Sequence, residues 1–162
     1  MRPVTNILVP TDFSASAQRA LEFACEIADR FGATLHVLHV LENPFAGGGY
    51  WEMYAPPPEG YLEDLERQAR EHLELVLTPE QRAKYAATFV TRMGSPAHEI
   101  LEYIKEHGAI DFVVMATAGR GAVSRLMMGS VADKVVRTAP VPVLTVHAHD
   151  RVPADTKGKA AA

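Results

Sequence analysis

The sequence predicts a doubly wound α/β domain, with a five-stranded parallel sheet and helices on both faces. Short apolar, β-branched runs alternate with longer segments of helical period, in the order βαβαβαβαβ. Each intervening segment is long enough to be a crossover between parallel strands, which is right-handed by rule. At 162 residues and 48% hydrophobic content the chain fits a single core, over residues 1–147, with a flexible polar tail at 148–162.

"NILVP" is a buried strand closed by Pro10. The following "TDFSASAQRALEFACEIADRFG" places Ala17, Ala20, Leu21, Ala24, Ile27, Ala28 and Phe31 at helical spacing, with Ser14 as N-cap and Gly32 as stop. "ATLHVLHVL" is the second strand. Its glycine- and proline-rich sequel, 44–58, is an extended loop in which Tyr50, Trp51 and Tyr54 either cover a ligand, dock a partner or pack locally. Leu62, Leu65, Ala69, Leu73 and Val76 line the next helix, which breaks near Thr78, where Thr78, Pro79 and Gln81 can cap a shorter continuation. "ATFVTRM" is the third strand. "GSPAHEILEYIKEHG" is a helix capped by Ser95, stopped at Gly108 and buried through Ala97, Ile100, Leu101 and Ile104. "IDFVVMAT" is the most apolar strand; after "AGRGAVSRLMMG" come the helix "SVADKVVRTA" and a last strand, "VPVLTVHA".

Composition narrows the function. A net charge of −4 offers no basic excess for a nucleic-acid backbone, so no nucleic-acid partner is expected. No apolar run approaches the roughly 18 residues of a membrane span, and the start is not a signal peptide; a cytoplasmic protein is expected. Cys25, the single cysteine, reads as a small inert hydrophobe in a helix. His36 and His39 stand three apart on a strand and face opposite sides, which excludes a shared metal. His147 and His149, beside Asp150, supply too few ligands for zinc, and Met127 and Met128 read as core or edge packing.

In doubly wound sheets ligands sit beyond the carboxyl ends of the strands, where strand order reverses. The loops after the first and fourth strands, "PTDFSAS" and "TAGRGAVSRLMMGS", are therefore the candidates. Asp12 serves either its own turn or a ligand, and its place at the switch point favours the ligand. "GSVAD" opening a helix is an anion site, because its first N–H groups have no helical partner and the helix dipole favours negative charge. "GRGAVS" is not a dinucleotide fingerprint, since Ser124 replaces the last glycine, and no P-loop motif occurs.

These residues resemble the universal stress protein family, in its UspA-type, nucleotide-binding branch. The resemblance runs from about residue 3 to 147 and rests on "ILVPTDFS", "LHVL", "GSPAHEIL" and a G-x2-G-x9-G-S/T phosphate motif. Gly119 and Gly129-Ser130 fit that motif, while Ala116 replaces its first glycine. The resemblance implies a Rossmann-like sheet in the order 3-2-1-4-5. It also implies ATP with Mg or Mn, held by Pro10, Thr11, Asp12, Val40, Met115, Ala116, Gly119, Arg120, Gly121, Gly129, Ser130 and Val131. Of these, Asp12 would meet the ribose or adenine edge, the backbone near Val40 the adenine, and the residues from Gly119 onward the phosphates, with Arg125 as a further cation. It implies a homodimer through the last strand, Val141 to Val146, which a lysine at Val143 would weaken. The function so implied is a nucleotide-responsive regulatory module in stress response, with an unidentified protein partner. The alternatives are a weak ATPase or self-phosphorylating enzyme, with no catalytic residue assigned, and a nucleotide-free dimeric stress protein. A phosphoacceptor receiver fails for want of an Asp ending the third strand and a Lys after the fifth; a flavin carrier fails for want of a glycine in "TDFSASA".

Overall fold

The computed structural model describes residues 3–43, 58–117 and 128–147. Expectations for Tyr50, Trp51, Tyr54, Gly119, Arg120, Gly121, Arg125, Met127 and the tail 148–162 fall outside these residues. The elements follow the chain as β1 (Asn6–Thr11), α1 (Ala15–Phe31), β2 (Thr34–Leu41), α2 (Tyr61–Leu75), α3 (Pro79–Lys84), β3 (Thr88–Met93), α4 (Pro96–Glu106), β4 (Phe112–Ala116), α5 (Ser130–Thr138) and β5 (Val143–Val146). All strands are parallel, in the order β3-β2-β1-β4-β5. The fold is the predicted doubly wound sheet.

Local chemistry sets the helix ends. Ser14 caps α1, its Oγ accepting from the Ala17 amide at 3.1 Å. Gly32 ends the helix at φ 68, a left-handed conformation that glycine adopts without a Cβ penalty. Thr78 and Gln81 form a reciprocal capping box on α3, so the break expected near Thr78 is a real helix start. Ser95 occupies the cap position of α4 but makes no side-chain cap bond; Pro96 in the first turn fixes the entry. Phe31, placed by periodicity on the buried face of α1, is 58% exposed, while Ala28 in the same turn is buried.

Alternation along the strands divides the core into two layers. Ile7, Val9, Leu35, Val37 and Val114 point to the face covered by Leu21 and Ala24 of α1 and Leu73 of α2. Leu8, Leu38, Val113 and Met115 point to the other face, under Ile100 and Tyr103 of α4 and Val135 of α5. Cys25 is buried in the first layer, and its thiol is pushed up to about 12 by burial and by the neighbouring Asp29 carboxylate, which makes it inert. His36 and His39 face opposite layers, as their spacing requires: His36 Nδ1 lies 2.8 Å from the Tyr103 hydroxyl, while the His39 ring packs on Phe13. In β5, Val143 packs inward against the second layer and Leu144 is 38% exposed, so Leu144 is the outward-facing residue of this edge strand. Met128 stands 40% exposed, outside the core.

One pairing is short. β1 and β2 are in register over their whole length, from Asn6 opposite Thr34 to Thr11 opposite His39. β1 and β4 pair only at Ile7 with Phe112 and Leu8 with Val113. Below this pairing, Asp111 stitches the strands together: its Oδ2 accepts from the Thr5 amide at 2.6 Å, the Asn6 amide at 2.9 Å and the Thr5 hydroxyl at 3.0 Å. Above it, the two strands carry no ladder. A crevice at the carboxyl ends is the geometric result.

Candidate functional site

That crevice is a cleft of about 640 Å³, within the usual range for a small-molecule site. Its walls come from the carboxyl ends of β1, β2 and β4, the first turns of α4 and α5, and Leu65 of α2. All the predicted site residues that are described line it: Pro10, Thr11, Asp12, Val40, Met115, Ala116, Gly129, Ser130 and Val131. They come from distant parts of the chain and meet only in the folded sheet. A second depression, about 420 Å³ at the opposite end, is lined by Pro3, Thr5, Gly108, Ala109 and Asp111. There the Asp111 carboxylate already serves the stitch between β1 and β4.

The α5 end of the cleft is closed by backbone. The Gly129 amide donates to the Thr117 carbonyl at 2.6 Å, and the Thr117 amide donates to the Val146 carbonyl at 3.0 Å. The entry to α5 is thereby tied to β4 and β5. Gly129 is the N-cap of α5 and offers no side chain to cap it, so the first amides of this helix open toward the cleft residues Ser130 and Val131 without a side-chain acceptor from the cap. Gly129 has φ −63 and ψ 153, which any residue can adopt. Ala116 ends β4 opposite Val146, and Phe13 and Ala86 are the described non-glycine residues with positive φ. The position that departs from the glycine motif is thus ordinary extended strand, where alanine carries no backbone penalty.

The turn after β1 is built differently. Thr11 Oγ1 accepts from the Phe13 amide at 3.1 Å and Asp12 Oδ1 accepts from the Ser14 amide at 3.0 Å, so Asp12 serves its own turn and also lines the cleft. Phe13 sits at φ 62, a left-handed conformation that is an outlier for a bulky residue. Its ring lies 4.2 Å from the His39 ring and 5.5 Å, edge-on, from the His72 ring of α2. His39 Nδ1 is 2.7 Å from the Thr11 carbonyl oxygen.

The wall between these ends is apolar. Leu38, Val40 and Ile100 belong to the second core layer and continue into the cleft lining, with Pro96 and Leu65 beside them. Of these, Val40 was named from the sequence; Leu38, Ile100, Pro96 and Leu65 were not named as site residues, nor were His39 and Glu42. Glu42 follows β2 directly and adds an exposed carboxylate to that of Asp12 in the cleft lining. The rule that ligands collect beyond strand carboxyl ends, applied to β2 and β3 as well as β1 and β4, points to Glu42 and Pro96. Among the described residues no three His, Cys, Asp or Glu side chains gather as a metal site, and no helix is long and apolar enough to cross a membrane.

A sequence model of the Universal stress protein family matches residues 3–147. The chain belongs to the universal stress protein family. Universal stress protein MJ0531 of Methanocaldococcus jannaschii is 33% identical over 146 residues, a match covering 86% of this chain and 80% of that protein. The solved structure of universal stress protein UspA from Lactobacillus plantarum is 28% identical, with a TM-score of 0.69 over 91% of this chain and 100% of that one. A universal stress protein from Archaeoglobus fulgidus, solved in complex with dAMP, shares the fold at a TM-score of 0.56 and 24% identity, over 89% of this chain and 98% of that one.

Proposed function

We propose that this universal stress protein binds an adenine nucleotide, ATP with Mg or Mn, in the cleft between β1 and β4, and acts as a cytoplasmic, nucleotide-responsive regulatory module. The observation that carries the reading is the meeting of three chemistries in one crevice. An uncapped helix start at Gly129-Ser130 suits phosphates, a carboxylate at Asp12 suits a ribose, and the apolar wall of Leu38, Val40 and Ile100 suits a base. The dAMP complex of the Archaeoglobus fulgidus protein, which has this fold, agrees with the choice of an adenine nucleotide. A helix dipole gives about 0.3–1 kcal/mol, whereas micromolar affinity needs about 8 kcal/mol, so burial of the base and charged hydrogen bonds supply most of the affinity. The cation in this reading is held by the phosphates, with Asp12 and Glu42 the carboxylates of the cleft lining; Mg commonly binds through one or two carboxylates and substrate phosphates.

The test is a calorimetric titration of nucleotide-stripped protein with ATP, with and without Mg, against AMP and GTP. Saturable ATP binding that weakens for AMP and GTP is expected. No heat, together with no thermal shift at a hundredfold excess over a micromolar Kd, where about 2.7 kcal/mol of stabilisation is due, would refute it.

A further inference from the structure

We infer that His39 is a positioning residue: through its Nδ1–H bond to the Thr11 carbonyl it holds the Thr11–Ser14 turn in the conformation that presents Asp12 to the cleft. The ligand half of this inference rests on the function proposed above; the structural half stands on the turn alone.

A carbonyl oxygen only accepts, so the 2.7 Å contact requires the proton on Nδ1. The residue opposite His39 in the parallel register is Thr11 itself, which brings the ring beside the last peptide of β1. From there the chain must turn at once, with Phe13 at φ 62. The turn's own bonds, Phe13 amide to Thr11 Oγ1 and Ser14 amide to Asp12 Oδ1, span two residues each, and neither ties the turn to the neighbouring strand β2. His39 provides that anchor twice, by its bond to the Thr11 carbonyl and by its ring lying 4.2 Å from the Phe13 ring. His72 closes the other edge of Phe13 from α2. Removing the Nδ1 donor takes away the hydrogen bond that ties the base of the Asp12 turn to β2.

Asparagine carries an N–H donor at the δ position and no ring, while phenylalanine keeps a ring and no donor. The experiment compares wild type, His39→Asn and His39→Phe in three readouts: imidazole nitrogen shifts of the ligand-free wild type, amide exchange of Phe13 and Ser14, and ATP titration. Expected are an Nδ1–H tautomer in the wild type, and in His39→Phe at least tenfold faster exchange at both amides with at least tenfold weaker ATP binding. His39→Asn should stay within threefold of wild type in both. An Nε2–H tautomer overturns the inference, as does wild-type exchange in His39→Phe, or an Asn variant as impaired as the Phe variant. Should the wild type bind no ATP, the proposed function falls while tautomer and exchange still decide the role of His39. Should His39→Phe not fold, the tautomer and the Asn variant decide it.

Discussion

The Gly129 amide and the Thr117 carbonyl meet at 2.6 Å, so the chain leaves β4 and enters α5 at one point. The first turn of α5 is therefore held against the sheet by this backbone bond and by Val131 and Ala132 packing on the second core layer, neither of which uses the side chains at positions 129 and 130. Substitutions there test ligand approach without dismantling the helix start.

Gly129→Val places a branched side chain where the φ and ψ are ordinary, so it adds no left-handed backbone strain. ATP affinity is expected to fall at least tenfold, about 1.4 kcal/mol. Ala116→Gly, in extended strand, is expected to change affinity by less than about 1 kcal/mol. Calorimetry on the two variants checks both; unchanged affinity in the valine variant would remove Gly129 from the site.

Phe13 gives a test of stored backbone strain. Truncation to alanine or glycine removes the same contacts with His39 and His72, but alanine keeps a Cβ at φ 62 and glycine does not. Urea unfolding should find Phe13→Ala less stable than Phe13→Gly by about 0.5–1 kcal/mol. The reverse order would show that the turn relaxes out of the left-handed region.

His36 lies between the Tyr103 hydroxyl and Asn6 Oδ1, and burial, then the nearby His107, holds it below its ordinary value of 6.5. On acidification the unfolded chain takes up a proton that the folded imidazole resists, so the unfolded state binds more protons and stability falls as pH drops through 6.5. Urea midpoints measured between about pH 7.5 and about pH 5 should decline, and His36→Gln should flatten that decline. Equal slopes in both proteins would acquit His36.

Leu144 tests the proposed homodimer. β5 is an edge strand, Leu144 projects outward, and Val143 belongs to the core. Light scattering should give a dimer mass for the wild type and a monomer mass for a folded Leu144→Lys variant. A monomeric wild type would refute assembly through this strand.

The sequence carried the helix ends well because their chemistry is local: Ser14, Gly32 and the Thr78–Gln81 box each act within a few residues of themselves. It also carried the strand-end residues of the cleft, since position after a strand is legible once the βα alternation is seen. What depends on register was hidden. Nothing near His39 in the chain says that its ring will reach the Thr11 carbonyl, 28 residues away. The left-handed Phe13 contradicts its residue type, and the His39 and His72 rings that flank it come from distant parts of the chain. "VPVLTV" is apolar almost throughout, so no alternation told Val143 from Leu144.

The two-pair junction of β1 with β4 also has a mechanical meaning. Pulled apart across its width, the sheet should tear along this seam first, because the neighbouring interfaces are longer ladders. A molecule seated across the open mouth, gripping Asp12 on one side and the start of α5 on the other, supplies the missing rungs. Occupancy would then be felt as stiffness between the two halves of the sheet, a signal readable from surfaces that never touch the ligand.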